Sequence, residues 1–467
     1  MSKQLPERAS LEHLKNEAKA LKKAQSLPRL ADAQLAVARD YGFPSWSKLK
    51  HYVEGFESLR DDFFSAIKRG DRSKVQALLK DSPRLAQSRN PHSFGEVPIT
   101  AAANRADTGM IDILLRAGAD VNARSDWWAG SFGALDMADP ETSEYLLKRG
   151  ATLTVQAAAR LGKARELKQI LAENPEAVSE RGGDGQFPLH FASTAEIVDI
   201  LVEAGADLDA RDIDHESTAA QWRIKNREVL ERLVHHGAST DIFIAVALDN
   251  PDLIAKHLLQ DPAALLRKAD KPGNDLLRPQ APGAPIYVYE VGPILPMQFA
   301  AHLGNMRAFD FLFEKSPPHL KLLGAAWKGN RELAFQYQDE VKHLSKENMA
   351  MLSGAARHRA KDLMVLMLEL GFDINVQDHE GMTPTHWCAF HGWREGMEIA
   401  LQYKPSIELK NNYGGTALGT LCYGSLNGWY TDGEFAACAQ MLINAGAEIK
   451  PDNRGNDDVL AVLDKYR

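Results

Sequence analysis

Three observations predict an all-α solenoid built from short helical repeats. A phrase containing Gly-Ala-Asp closes one apolar helical pattern after another, and a second phrase with Pro at its second position opens the unit that follows. The spacing is also regular, since Gly118 to Gly150 and Gly205 to Gly237 are both 32 positions. Self-similarity at a period of this size marks repeats that cannot bury an apolar face alone and must stack on their neighbours.

The closing phrase is clearest at Leu114-Leu115-Arg116-Ala117-Gly118-Ala119-Asp120-Val121-Asn122-Ala123-Arg124. It returns at Leu201 to Arg211 and at Leu370 to Asn375, and weaker copies surround Gly150, Gly237 and Gly446. Glycine just past a helix end takes the left-handed conformation that a Cβ makes costly. Asp and Asn then support tight turns by bonding their own backbone. The opening phrase reads Val97-Pro98-Ile99-Thr100, Phe187-Pro188-Leu189-His190, Leu295-Pro296-Met297-Gln298 and Thr383-Pro384-Thr385-His386. Proline suits a first helical turn, where its missing N–H has no partner to lose, and Thr383 is a natural N-cap.

Together these phrases resemble the ankyrin repeat family over roughly residues 60 to 452. The resemblance implies an all-α ankyrin-repeat solenoid with short β-turn fingers, of about twelve units between residues 56 and 452. Two units depart from the pattern: residues 155–185 end in Asn-Pro-Glu-Ala and residues 241–271 in Asp-Pro-Ala-Ala, so their turns are expected to differ.

The flanks do not repeat. Residues 1–55 read as an N-terminal helical capping segment. Leu11, Leu14, Ala18 and Leu21 follow a helical period, a second helix runs from Leu30 to Arg39, and a third starts at Trp46 and ends near Glu54. This stretch resembles a leader found ahead of ankyrin repeats in bacterial proteins, and its expected role is to cover the open face of the first repeat. An insertion at 272–292 holds Pro272, Pro279, Pro282 and Pro285 before Ile286-Tyr287-Val288-Tyr289, and is expected to project as a strand pair or an ordered flap. Residues 453–467 should close the other end as a short helix.

Composition excludes several function classes. The chain has 467 residues with 44% hydrophobic and 25% charged, which is far from a disordered composition. Its net charge of -8 argues against nucleic acid as a partner, because phosphate neutralisation needs a clustered basic surface. Three cysteines cannot form a disulfide framework and fit a reducing compartment, so a cytoplasmic location is expected. The first residues show no apolar signal segment, and no apolar run is long enough to span a membrane.

Candidate site residues follow from position within the repeat. The inner helix carries a small pair, such as Ala300-Ala301, Ala325-Ala326, Ala355-Ala356 or Cys388-Ala389, and the next two positions are expected to face the groove. In the second half those positions cluster His302, Trp327, His358, Phe390, His391 and Tyr423. Aromatic and imidazole groups side by side can bury a ligand and hydrogen-bond it. Tyr287 and Tyr289 of the insertion, with His379 and Glu380 of the Asp378-His379-Glu380 loop, are expected to fold over the same region. If this groove is catalytic, His302, His358, His391 and Tyr423 are its acid–base candidates, because imidazole titrates near neutrality. Trp327 and Phe390 would then stack on an apolar or cyclic substrate.

Other constellations carry less. His386, Cys388 and His391 invite a zinc reading, but positions 386 and 391 lie about 140° apart on a helix. In ankyrin proteins the position of His386, shared by His190, holds a structural hydrogen-bonding histidine, so no metal and no cofactor is expected. Arg181-Gly182-Gly183-Asp184-Gly185 lacks the Lys-Ser/Thr of a phosphate loop and reads as a hairpin tip. Trp127 and Trp128 sit on a finger, either tucked under a neighbouring loop or serving as a contact anchor for a partner. The leading expectation is an interaction protein, a monomer, that holds a protein or peptide partner on its concave face and finger tips. The alternative is an enzyme working on a small molecule in the C-terminal half of the groove.

Overall fold

The structure, a computed structural model, describes residues 11–269, 285–430 and 432–467. Among these residues the regular elements are helices, and no strand forms. The fingers carry isolated antiparallel bridges instead, at Asn90–Glu96, Arg124–Gly133 and Arg211–Thr218. The chain divides into two units, one holding 11–240 with 285–290 and the other holding 241–269 with the residues from 291 onward.

The first unit opens with helices Leu11–Ala24, Leu30–Asp40 and Trp46–Arg69. Leu14, Ala18, Ala33, Val37, Ala38, Leu49 and Val53 form their core, and Ser45 caps the third helix by accepting from the Lys48 N–H. That helix does not end near Glu54. It continues to Arg69, because Phe63, Phe64, Ala66 and Ile67 extend its apolar face into the core of the first repeats. One helix therefore serves as the last of the cap and the first of the repeats.

Each repeat pairs an inner element with an outer helix, as in Pro98–Ala103 with Thr108–Arg116. The inner element is small and buried (Ala101, Ala102 and Ala103), so neighbours pack closely against it. Six outer helices begin at Asp or Asn: Asp71, Asp107, Asp139, Asn226, Asn250 and Asn330 each accept a backbone N–H of the first turn. Such a cap contributes about 1 kcal/mol. The outer helix ends at a left-handed glycine: Gly118 has φ +90°, and the Ala119 N–H reaches back to the Leu114 carbonyl at 3.0 Å.

The Asp-x-Asn turn then joins one repeat to the next. Asp120 accepts from the Asn122 N–H, while Asn122 accepts from the Thr152 N–H of the following repeat at 2.8 Å. The same pair of bonds recurs at Asp207, Asp209 and Ser239, and at Asp373, Asn375 and Ser406. Units lacking the glycine phrase close on 3₁₀ turns, Pro175–Ser179 and Pro262–Leu266. The second unit stacks inner helices Ile242–Ala247, Pro296–Leu303, Pro318–Trp327, Met351–Arg357, Pro384–Phe390 and Ala417–Asn427, and ends with helix Asp457–Leu463.

Residues 270–284, most of the expected insertion, lie outside the described residues. Its described end is a helical turn, Tyr287–Glu290, and not a strand. Tyr287 is fully buried and the turn packs on Ala219–Trp222 of the first unit.

Candidate functional site

In the second unit, helix Pro384–Phe390 sits at the centre of an aromatic cluster. Thr383 caps it and Pro384 occupies its first turn. His386 is structural: its Nδ1 lies 2.7 Å from the Thr383 hydroxyl and its Nε2 donates to the Gly415 carbonyl at 3.1 Å, tying two repeats together. His190 does the same in the first unit, toward Ser217. Trp387 is buried and donates its indole N–H to Asp378 Oδ2 at 2.7 Å.

Phe390 and His391 follow. The rings of Phe390 and Tyr423 stack 6.3 Å apart, and Trp429 lies 5.5 Å from Phe390, 5.2 Å from His391 and 5.7 Å from Trp387. Tyr430 meets His391 edge-on at 4.8 Å. The guanidinium of Arg357 lies over Trp387 and Trp429, at 4.7 and 5.1 Å, and Arg359 lies 4.8 Å from the Tyr430 ring. Glu380 pairs with Arg357 at 3.3 Å and Asp432 with Arg359 at 2.7 Å. The helices Pro384–Phe390 and Ala417–Asn427 approach closely because Gly424 faces the Phe390 carbonyl, where a Cβ would overlap it.

The outer surface of this cluster is open: Tyr423 is 61% exposed, Leu426 60% and Trp429 55%. Its inner surface is closed. His391 is fully buried, its Nε2 donates to the Arg357 carbonyl at 2.9 Å, and its Nδ1 has no partner. Burial, with the positive charges of Arg359, Arg357 and His358 adding to it, pushes the imidazole down to about 4. Burial holds Cys388 well above the ordinary thiol range and pushes Cys422 up to about 11, so neither is a ready thiolate.

Of the residues expected at one site, Phe390, His391 and Tyr423 are brought together, and Glu380 joins them through Arg357. His391 is a correction: it does not face the groove, because Trp429 and Tyr430 cover it. His358 is exposed on one side beside the cluster, and partial desolvation of its ring, with the Arg357 charge, lowers its pKa. His379 is exposed and touches the site through Glu380, 3.5 Å away. His302 is exposed at the end of Pro296–Leu303 and Trp327 half-buried at the end of Pro318–Trp327, and among the described residues neither shares a ring contact with the cluster. With His391 neutral and bonded to backbone, the expected acid–base set is not assembled.

Tyr287 and Tyr289 make their described contacts away from the rings of this cluster. They belong to the first unit and their contacts lie there: the Tyr289 ring sits 5.8 Å from His215 and Glu290 pairs with Lys225 at 3.1 Å. Trp127 is half-buried, 4.3 Å from Phe94, and bonded to the Asp184 carboxylate, while Trp128 beside it is exposed. Trp429 and Tyr430 were missed because they follow the last inner helix in a long connection that repeat positions do not register. Two glycines, Gly428 and Gly433, bracketing an aromatic pair were the available signal.

Comparison with known proteins bears on the same segments. A family model described as ankyrin repeats (many copies) matches residues 352–400, and one described as ankyrin repeat matches residues 94–126 and 184–213. This chain is an ankyrin-repeat protein. It is 31% identical over 80 residues to protein phosphatase 1 regulatory subunit 12A of Mus musculus, covering 16% of this chain and 8% of that one. It is 29% identical over 139 residues to ankyrin repeat and SAM domain-containing protein 6 of Rattus norvegicus, covering 27% of this chain and 16% of that one. The alignments thus span a small part of either relative's length. A solved structure of the Bd0816 predatory endopeptidase from Bdellovibrio bacteriovorus in complex with immunity protein Bd3460 aligns over 37% of this chain and 96% of that chain, at 21% identity and a TM-score of 0.26.

Proposed function

We propose that this ankyrin-repeat chain is a non-catalytic scaffold that binds a protein or peptide segment through the aromatic surface of its second unit. The observation that carries the reading is the contiguous open face of Tyr423, Leu426 and Trp429 over buried Phe390 and Trp387. Exposed aromatics backed by a rigid core mark interaction sites, and Trp and Tyr dominate their energetics. Arg357 and Arg359, each on an aromatic face and each paired with a carboxylate, hold the rings in place and make a polar rim. The segment that fits presents apolar side chains to the rings. No helix of the described residues is long and apolar enough to cross a membrane. The three cysteines, all free and buried, accord with a cytoplasmic setting.

Selection of a displayed random-peptide library on the intact chain tests this. Selected peptides are expected to lose at least tenfold in affinity, about 1.4 kcal/mol, on Trp429→Ala and on Tyr423→Ala, and little on Trp128→Ala. Equal affinity for all three variants would place recognition elsewhere.

A further inference from the structure

The fingers of the first unit hold a second cluster, independent of the aromatic surface. Loop 182–185 and loop 212–217 are tied together, since the N–H groups of Ile213 and Asp214 both donate to the Asp184 carbonyl, at 2.9 and 3.2 Å. Side-chain atoms of Asp184, Asp214 and His215 then converge within 4.8 Å of one another. The His215 Nδ1 lies 3.0 Å from Asp212 Oδ2, an oxygen that also accepts the His215 backbone N–H at 2.8 Å. Asp212 also accepts from the Ser217 N–H at 2.6 Å. This holds a hydrogen on Nδ1 and directs Nε2 toward Asp214, 3.8 Å away. A carboxylate behind a histidine, setting its tautomer and orientation, is the usual outer partner of a metal-binding imidazole. Trp222 and Tyr289, 5.1 and 5.8 Å from the His215 ring, wall it in.

Asp214 is the third member of the group, its carboxylate facing the His215 Nε2. It is 8% exposed, and among the described residues its carboxylate accepts no hydrogen bond. Asp184 receives the Trp127 indole N–H. No Lys or Arg pairs with Asp184, Asp212 or Asp214 among the described residues, and the guanidinium of nearby Arg181 goes to the Gly185 and Arg211 carbonyls.

We propose that Asp184, Asp214 and Nε2 of His215 bind a divalent transition-metal ion of the zinc class. Two carboxylates and one imidazole suit such a borderline cation better than a hard one, which takes an all-oxygen shell. Ligand oxygens and nitrogens about 2.0–2.2 Å from zinc lie closer together than these do, so the loops close slightly on binding. The ion staples successive fingers, one contributing Asp184 and the next Asp214 and His215, and leaves a coordination position open.

The test uses the full chain stripped with chelator and titrated with ZnCl₂ by calorimetry, followed by thermal melts. One zinc per chain is expected, with a raised Tm. Asp214→Asn and His215→Gln should each weaken uptake at least tenfold. Without metal, Asp214→Asn should melt no lower than the parent, and adding zinc should reverse that order, which separates lost ligation from lost folding. Co²⁺ in place of zinc should give visible absorption that disappears in His215→Gln. Absence of uptake, uptake untouched by both variants, or tighter binding of CaCl₂ than of ZnCl₂ would each overturn the proposal.

Discussion

His391 shows how one side chain registers its surroundings. Its ring lies 5.7 Å from Trp387 and nearly parallel to it, and Arg357, Arg359 and His358 surround it with positive charge. Burial with those charges pulls its folded pKa to about 4, below the value near 6.5 expected of an unfolded chain. The unfolded state therefore takes up the proton first as pH falls. His391 contributes stability that is complete above about pH 6.5 and is lost between there and pH 4. His190, held at about 4 chiefly by burial, acts in the same direction. Melting temperature should fall over this window, and His391→Gln should flatten the fall. An unchanged slope would show that this ring does not titrate as its burial requires. The structural roles of His190 and His386 were legible in the sequence because they sit in a repeated phrase. The burial of His391 was not, since it depends on Trp429 and Tyr430 from a connection outside the repeat pattern.

At the scale of elements, two glycines argue opposite outcomes from the same substitution. Gly55 lies inside helix Trp46–Arg69 with no heavy atom within 4 Å of the place a Cβ would take. Gly55→Ala should stabilise by about 0.5–1 kcal/mol through the unfolded chain. At Gly424 the Cβ would overlap the Phe390 carbonyl, so Gly424→Ala should cost about 1–3 kcal/mol by forcing the two inner helices apart. Denaturant titration of both variants checks the pair, and a stabilising Gly424→Ala would contradict the packing described. Gly55 also explains why the third helix was read as ending near Glu54. A lone glycine weakens a helix without stopping it, and the apolar residues beyond it keep the helical period. Gly118 differs because a left-handed turn and an Asp follow it, so its helix end was readable.

Across the whole molecule, the repeat phrases specify where helices begin, end and join, because their turn Asp, Asn and glycine residues take part in bonds that recur from one repeat to the next. They specify no binding surface. The two proposed sites lie where the pattern is broken: at the connection carrying Trp429 and Tyr430, and at fingers where Asp184 and Asp214 stand 30 positions apart in successive units. Such juxtapositions depend on how loops settle on a formed stack, which periodicity does not encode. The central claim is that recognition occurs on the open aromatic face of the second unit. Hydrogen–deuterium exchange of the full chain, with and without a saturating selected peptide, tests it most directly. The account predicts slowed exchange in the segment from Tyr423 to Phe435 and at the end of helix Pro384–Phe390. Unchanged exchange there, with protection at the Phe94, Trp127 and Trp128 fingers instead, would contradict it.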